Sequence, residues 1–218
     1  MAIAIDTTTT PGSRVNAGTT MTVSHTCTGT DRAIVVNVGT DGNKVSGVTY
    51  AGVSLTLVGS YTADGAGNGT TCWVLANPAS GANNVVITTS SSATIMCQIA
   101  SYTGVDQGSP VGSSVTNGPT TTTSFTQTVT TTVNNSWLVM CGKGRSGNTL
   151  TAGSNTFIRI NVELLFTGLF IADSNSAQTP TGSKSLNVTS ASQEFNGNMF
   201  ELKPSVTSTT NSNFLAFM

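Results

Sequence analysis

The stretch Phe157-Ile-Arg-Ile-Asn-Val-Glu-Leu-Leu-Phe166 decides the fold class, because it is the one window in which a helix could compete with a strand. Apolar side chains occupy one parity of this stretch and polar side chains the other. The apolar set is Ile158, Ile160, Val162, Leu164 and Phe166, and the polar set is Arg159, Asn161 and Glu163. A two-residue period with β-branched residues on the apolar side is typical of a half-buried strand. We therefore predict a strand here and no helical stripe elsewhere.

Short runs of strand-forming residues recur on both sides of this stretch. They are Ala33–Val38, Val53–Val58, Thr71–Leu75, Val85–Thr88, Ile95–Tyr102, Phe125–Val129, Trp137–Cys141, Leu169–Ala172, Ser185–Val188 and Met199–Leu202. Turn signals separate them: Asp-Gly occurs at 41–42 and 64–65, and Asn-Gly at 68–69, 117–118 and 196–197. These dipeptides accept the positive φ of tight hairpin turns. The pattern predicts an all-β chain, specifically an antiparallel β-sandwich of jelly-roll type.

The chain is predicted to hold one domain with an arm at each end. The N-terminal arm covers residues 1–18, the β-sandwich domain 19–203 and the C-terminal arm 204–218. A polar seam at 108–124 could be a linker between two domains or a long crossover loop within one. We favour the crossover loop, because the part before the seam offers few strands for two sheets and Greek-key folds use long connections.

Charged residues are scarce: they make up 8% of the chain, against about 25% in an ordinary soluble domain. The net charge of −1 provides no basic field for nucleic acid or anionic lipid. No run approaches the ~20 apolar residues of a membrane span. The start, Met-Ala-Ile-Ala-Ile-Asp-Thr, lacks the basic and apolar regions of a signal peptide. We expect a protein that is made in a host cytoplasm without export, the alternative being that a leader has been removed, and that binds neither nucleic acid nor membrane.

The four cysteines, Cys27, Cys72, Cys97 and Cys141, each lie in an apolar, strand-like run. None forms a Cys-x-x-Cys pair, which argues against a zinc site. We predict four buried, reduced and unlinked thiols that pack as small hydrophobic side chains. One or two disulfides are the alternative, which the missing export signal disfavours.

Few residues could carry acid–base or nucleophilic chemistry. His25, the single histidine, shares the parity of Val23 and Cys27 and has no Gly-x-Ser-x-Gly elbow to accompany it. We predict an inward-facing structural histidine rather than a member of a catalytic triad. The nine acidic residues are scattered, which argues against a glycosidase pair. Gly142–Gly147 lacks Walker A spacing and is predicted to be a loop whose two charges could touch an acidic partner. We expect no catalytic residue, no cofactor and no bound metal.

Aromatic side chains could form a sugar-stacking platform, and the candidates are Tyr50, Tyr61, Tyr102, Trp73 and Trp137. Both tryptophans lie within apolar runs, so core packing is favoured. An exposed aromatic cluster would support the alternative function, a carbohydrate-binding or adhesive module of an extracellular bacterial surface protein.

Several stretches, densest at 23–107, resemble a known β-sandwich module. They are Val23-Ser-His-Thr-Cys-Thr-Gly-Thr-Asp-Arg-Ala-Ile-Val-Val-Asn-Val38, Val48-Thr-Tyr-Ala-Gly-Val-Ser-Leu-Thr-Leu-Val58, Trp73-Val-Leu-Ala-Asn-Pro-Ala-Ser-Gly-Ala-Asn-Asn-Val-Val86 and Ala100-Ser-Tyr-Thr-Gly-Val-Asp-Gln107. Together they look like a module of large bacterial surface and secreted proteins and of phage virion proteins, over roughly residues 20–200. The resemblance implies no catalytic residue. In that family the module usually recurs within long chains, whereas here we expect it to stand alone with an extension at each end, and this departure favours a self-contained virion component over an adhesin-like role.

The C-terminal arm ends in an apolar tip, formed by Phe214, Leu215, Phe217 and Met218 after a polar run from Pro204 to Asn213. Burying each of these side chains is worth about 1.5–3 kcal/mol. We expect the tip to insert into a hydrophobic groove on an adjacent subunit or on an underlying shell. Together with the missing export signal and the missing active-site candidates, the resemblance implies a non-enzymatic phage structural protein, which we expect to be a capsid decoration or cement protein or another virion surface component. Its expected partners are copies of itself, with a trimer as the leading state by analogy, and a capsid or other virion protein.

Overall fold

The computed structural model describes residues 1–9, 15–42, 44–61, 69–145, 149–164 and 167–206. This part of the chain is built from strands and contains no helix. Every strand pairing in it is antiparallel. The predicted all-β, antiparallel class is confirmed.

Fourteen strands are described. In chain order they are β1 (Ala4–Thr9), β2 (Val15–Cys27), β3 (Ala33–Thr40), β4 (Val45–Tyr50), β5 (Val53–Ser54), β6 (Thr56–Tyr61), β7 (Gly69–Ala76), β8 (Gly81–Thr103), β9 (Val111–Thr130), β10 (Trp137–Gly144), β11 (Thr151–Ala152), β12 (Phe157–Leu164), β13 (Thr167–Asp173) and β14 (Ser183–Leu202). The first sheet has the order β5-β4-β8-β3-β7-β6, with β1 and β2 also paired to β8. The second has the order β11-β14-β10-β13-β12, with β9 also paired to β14.

The two sheets repeat one topology. The order β4-β8-β3-β7-β6 in the first sheet corresponds, strand by strand, to β11-β14-β10-β13-β12 in the second. In each sheet the first long strand of the unit pairs antiparallel with the last one, β2 with β8 and β9 with β14. Residues 15–103 and 111–202 are therefore two copies of one topological unit, joined by residues 104–110.

Each sheet curls around a core of its own, and a third apolar cluster lies between the sheets. The first sheet's own core includes Ile34, Val36 and Val38 of β3, and the second sheet's includes Leu138 and Met140 of β10. The cluster between the sheets contains Ile3, Ala33, Val35, Cys72, Val74, Ala100, Tyr102, Val105, Trp137, Val139, Cys141, Ile160, Ile171, Phe200 and Leu202. Strands β3 and β10 are buried on both faces, which explains why their sequences are continuously apolar.

The contact between the sheets also has a polar end. The Asn37 amide donates to the carbonyl oxygens of Gly142, at 3.0 Å, and Phe170, at 2.9 Å. The Gln98 amide donates to the Leu169 carbonyl oxygen at 2.5 Å. These donors come from the first unit and the acceptors from the second. Buried, directional bonds of this kind fix the relative position of two sheets that apolar contact alone would leave free to slide.

The predicted loop at 108–124 is wrong, because residues from Val111 onward belong to β9. The Asn-Gly pairs at 117–118 and 196–197 are not hairpin turns either, since they face each other inside the β9–β14 ladder. A Cβ on Gly118 would lie 2.7 Å from the Asn196 Cα, and one on Gly197 would lie 2.7 Å from the Cys141 carbonyl oxygen. Glycine is required here for close backbone approach at a bulged part of the ladder.

The stretch that decides the fold class forms strand β12 as predicted, as far as Leu164, while Leu165 and Phe166 lie outside the described residues. A register shift between Ile158 and Ile160 breaks the single parity. Ile158 therefore packs on the second sheet's own core, whereas Ile160 lies in the cluster between the sheets. Within the predicted N-terminal arm, Ala4–Thr9 is a strand paired with β8.

Candidate functional site

A groove runs between the edge strand β6 and the chain that enters β9. Its cavity of about 580 Å³ is lined by Thr56, Leu57, Val58, Val74, Leu75, Ala76, Gln107, Gly108, Ser109, Pro110, Val111 and Ser114. Val58 and Val111 pack on the cluster between the sheets and form an apolar floor. Leu57 is 46% exposed on the wall. Because the lining is mostly apolar and its polar groups are hydroxyls and an amide, the groove suits an extended apolar segment rather than a charged substrate.

Strand β9 borders this groove and carries no charge. It spans 20 residues, from Val111 to Thr130, and none is Asp, Glu, Lys or Arg. Among the described residues it forms a hydrogen-bonded ladder with β14 alone, so no described strand is paired along its outer edge. Long edge strands invite pairing with another chain, and soluble proteins often block them with charged side chains. Strand β9 has no such charged side chain.

His25 is buried, as predicted from its parity. Its Nδ1 lies 2.8 Å from the Thr9 Oγ1, and its Nε2 lies 3.4 Å from the Thr7 Oγ1. The Thr7 hydroxyl is also 3.0 Å from the Ser101 hydroxyl, which donates to Asp6 at 2.8 Å. The order of contacts is therefore His–Thr–Ser–Asp, in which the carboxylate does not orient the imidazole. This network ties β1 to β2 and β8.

Burial lowers the pKa of His25 from 6.5 to about 4, although the nearby Asp6 carboxylate opposes this shift. The folded protein thus keeps His25 neutral at a pH where the unfolded chain takes up a proton. Stability should fall as the pH drops from about 6.5 towards 4, by about 2 kcal/mol between pH 7.5 and pH 5. Denaturant unfolding of the wild type and His25→Gln across this range would measure it. A stability curve of the same slope for both proteins contradicts the assignment.

A tyrosine of the first sheet is hydrogen-bonded to a buried ion pair of the second sheet, Arg159–Asp173. Arg159 donates from Nε to one Asp173 oxygen at 2.6 Å and from a terminal nitrogen to the other at 2.9 Å. Tyr102, from the first sheet, donates its hydroxyl to Asp173 at 3.1 Å. The guanidinium lies 5.8 Å from the Trp137 ring centre and 4.3 Å from that of Phe157. Burial raises the pKa of Asp173, and the Arg159 hydrogen bond opposes that rise.

A second buried carboxylate, Glu201, holds the turn between β9 and β10. It accepts from the backbone nitrogens of Thr132, at 2.8 Å, and Val133, at 3.1 Å, and from the Ser136 hydroxyl at 2.6 Å. Burial acts to raise the pKa of Glu201, but the hydrogen bonds from Ser136 and Thr132 outweigh it, and the pKa is lowered. Both buried carboxylates are thus engaged in structural bonds.

The aromatic candidates for a sugar platform are buried. Trp73 is 9% exposed, Trp137 7% and Tyr61 9%, whereas Tyr50 and Tyr102 are fully buried. The prediction that they pack in the core is confirmed. In the described part of the chain, the exposed large aromatic side chain is Phe157, which is 48% exposed and stacks with Arg159.

The prediction of a loop at Gly142–Gly147 is wrong for its first half. Lys143 and Gly144 belong to β10, and Lys143 is buried with its ammonium 3.4 Å from the Thr40 carbonyl oxygen. Its charge lies at the contact between the sheets rather than on a surface loop. Arg145 is exposed and pairs with Glu194 at 3.4 Å. Residues 146–148 lie outside the described residues.

All four cysteines are free and buried, as predicted. They occupy two environments. Cys27 and Cys97 belong to the first sheet's own core, and Cys72 and Cys141 to the cluster between the sheets. The Cys72 and Cys141 sulfurs lie 2.9 Å apart, a contact that the sequence spacing gave no means of predicting.

The predicted binding tip, Phe214, Leu215, Phe217 and Met218, lies outside the described residues, and so do the Asp64-Gly65 and Asn68-Gly69 turn signals up to residue 68. The described chain reaches Val206, which is 84% exposed. The last described segment is anchored: Pro204 forms a bridge with Val105, and Ser205 donates to the Gly104 carbonyl oxygen at 2.8 Å.

Within the ranges that the structure describes, no group of three or more His, Cys, Asp or Glu side chains could hold a metal ion. The same ranges contain no helix long and apolar enough to cross a membrane.

No protein-family model matches the chain, and no curated protein and no solved structure matches it either. The resemblance of residues 23–107 to surface and virion modules therefore stays a prediction.

Proposed function

We propose that this chain is a non-enzymatic structural protein of a phage virion, most simply a capsid decoration or cement protein, that works by assembling with copies of itself and with a capsid protein. In this proposal the two antiparallel sheets form a β-sandwich of jelly-roll type, and the apolar C-terminal tip serves as a tether to a partner. The observation that carries the assembly part is the uncharged 20-residue edge of β9 beside the apolar groove. The virion part rests on the resemblance.

The buried polar groups support a structural rather than catalytic role. His25, Asp173 and Glu201 are each hydrogen-bonded within the fold. None of them lines the groove. A catalytic acid or base needs both a perturbed pKa and access to a substrate. Here the perturbed groups and the accessible groove lie apart.

The groove is proposed to receive the apolar tip of a neighbouring copy. Its floor is apolar, and the tip offers Phe214, Leu215 and Phe217. The Lys203 backbone nitrogen donates to the Pro110 carbonyl oxygen at 2.8 Å, so the last described segment passes the groove's rim. The chain from 207 to 218 can span about 40 Å when extended, far enough to reach a second subunit. An extended segment could also add hydrogen bonds along the neighbouring strand edge.

Deleting residues 214–218 should weaken self-association at least tenfold while leaving the fold intact, because the last strand that the structure describes, β14, ends at Leu202. Sedimentation equilibrium would give the dissociation constants, and circular dichroism would verify the fold. Leu57→Lys, which places a charge on the groove wall, should have the same effect.

The matched control is Val53→Lys, because Val53 is 54% exposed on β5, outside the groove. It should associate like the wild type. Equal association of all four proteins would show that neither the tip nor the groove is the contact. Loss of monomer stability in the truncated chain, without loss of association, would show that the tip docks on its own subunit instead.

A further inference from the structure

Two cysteine side chains, Cys72 and Cys141, are in direct contact in the described structure. Cys72 lies on β7 of the first sheet and Cys141 on β10 of the second. Both side chains are fully buried in the cluster between the sheets. The pair therefore bridges the two topological units, at positions 69 apart in the chain.

The distance between the sulfurs distinguishes the chemistry that the pair can support. It is 2.9 Å, whereas non-bonded heavy atoms rest about 3.5–4.0 Å apart and bonded sulfurs about 2.05 Å apart. A zinc ion at about 2.3 Å from each of two thiolates in tetrahedral geometry holds the sulfurs about 3.7 Å apart. Moreover, no group of three metal-ligating side chains occurs in the described ranges. The geometry fits a covalent sulfur–sulfur bond better than a shared metal.

We propose that Cys72 and Cys141 are a redox-sensitive modification site, at which a low-molecular-weight disulfide such as oxidised glutathione closes a bond between the two sheets. One cysteine thiolate attacks the small disulfide, forms a mixed disulfide and releases one small thiolate. The second cysteine thiolate then attacks the protein sulfur of the mixed disulfide and releases the other. Two protons from the cysteines end on the two small thiols, so the protein pair is oxidised and the small disulfide is reduced.

Burial sets when this exchange can happen. Both thiols are shielded in the folded chain, and burial together with the Cys72 contact raises the pKa of the Cys141 thiol well above its usual value. The Cys141 thiolate is therefore rare in the native state. Exchange should be slow in the folded protein and fast during folding, when both thiols meet solvent and the native contact then selects this pair.

The environments of the other two cysteines provide a contrast within the same chain. Cys27 and Cys97 are also buried, in the first sheet's own core. Burial raises the pKa of Cys97 to about 12. Burial alone therefore does not distinguish the pairs; the sulfur contact does. We expect Cys27 and Cys97 to remain thiols under conditions that link Cys72 to Cys141.

The test is refolding of the full chain from denaturant in a buffer of reduced and oxidised glutathione. The expected product has a mass lower by about 2 Da and two titratable thiols, and digestion yields one linked peptide pair that joins Cys72 to Cys141. Its Tm should lie about 10 °C above that of the reduced protein, because the bond closes a loop of about 70 residues in the unfolded chain.

Cys97→Ala is the matched control, a buried cysteine replaced outside the pair, and it should still form the bond. Cys72→Ala and Cys141→Ala should form none and keep three titratable thiols. Recovery of four free thiols from the refolded wild type, a stable mixed disulfide with glutathione, or a Cys27–Cys97 link would each overturn the proposal. The peptide map of the wild type decides the matter even if a variant fails to fold.

Discussion

Arg159→Ala should destabilise the protein by about 3–5 kcal/mol at pH 7, the usual cost of removing one partner of a buried ion pair. The Arg159 side chain is 8% exposed and that of Asp173 is fully buried. The substitution leaves the Asp173 carboxylate with the Tyr102 hydroxyl and the Asn175 backbone nitrogen, which bonds it at 2.9 Å. Those two donors do not replace a bidentate guanidinium. The measurement is denaturant unfolding with an unchanged m-value.

The control is Arg145→Ala, the same substitution in an exposed pair. Arg145 is 53% exposed and its partner Glu194 25%, and such pairs contribute about 0–1 kcal/mol.

The loss of unfolding free energy caused by Arg159→Ala should be smaller at acidic pH than at pH 7. Without its partner the buried Asp173 has a folded pKa raised further above the unfolded value of about 3.9, so it adds stability as the pH falls through that folded pKa. Equal losses in both variants, or a deficit independent of pH, contradict this account.

Glu201→Ala should be nearly as severe, with a loss of about 3–5 kcal/mol. It removes the acceptor of two backbone nitrogens and the Ser136 hydroxyl, and each buried donor left unpaired costs about 1–3 kcal/mol. A third backbone nitrogen, that of Ser113, also loses its acceptor, at 3.3 Å. Because these groups fix the turn between β9 and β10, the edge of β9 should lose protection from hydrogen exchange first.

Glu194→Ala provides the matched control, since its carboxylate faces the exposed Arg145. The difference between wild type and Glu201→Ala should narrow as the pH falls. A carboxylate with a lowered folded pKa contributes stability above the unfolded pKa of about 4.3 and loses that contribution as the pH drops through the folded value. A difference that stays constant down to pH 3 would show that Glu201 acts by packing alone.

Strand-forming runs could be located from the sequence because burial imposes a pattern on them. Strands β3 and β10 are buried on both faces and read as continuous apolar runs, and β12 reads as an alternation up to its bulge. For the long strands β8 and β14, the sequence predicted the apolar parts as separate short strands and did not predict the polar residues between them as strand. Residues 89–94 of β8 and 189–198 of β14 are rich in Ser, Thr, Asn and Gln, which resemble turns although the strand continues through them.

The duplicated topology has a small counterpart in the sequence. Tyr50-Ala-Gly52 and Thr151-Ala-Gly153 precede corresponding strands, β6 and β12. Two shared residues are too few to indicate a repeat. The polar contacts were not accessible from the sequence either. Whether Lys143 meets solvent or the Thr40 carbonyl oxygen depends on which sheet lies opposite it, and no local pattern encodes that.

Distances between side chains on facing sheets could not be predicted from the sequence either. Cys72 and Cys141 each read correctly as buried thiols, but their contact depends on the register of β7 against β10 across the interface. The groove beside β6 likewise arises from two strands that are distant in the chain. What the sequence does indicate is the scarcity of charge, which suits a protein partner better than an ionic one.

The mass of the full chain in solution, measured by sedimentation velocity from micromolar to near-millimolar concentration, tests the assembly proposal most directly. We predict a homo-oligomer, with a trimer at three times the 22.2 kDa monomer mass as the leading state. A chain that stays at the monomer mass throughout, and that binds glycans on an array, would contradict the proposal and favour the carbohydrate-binding alternative.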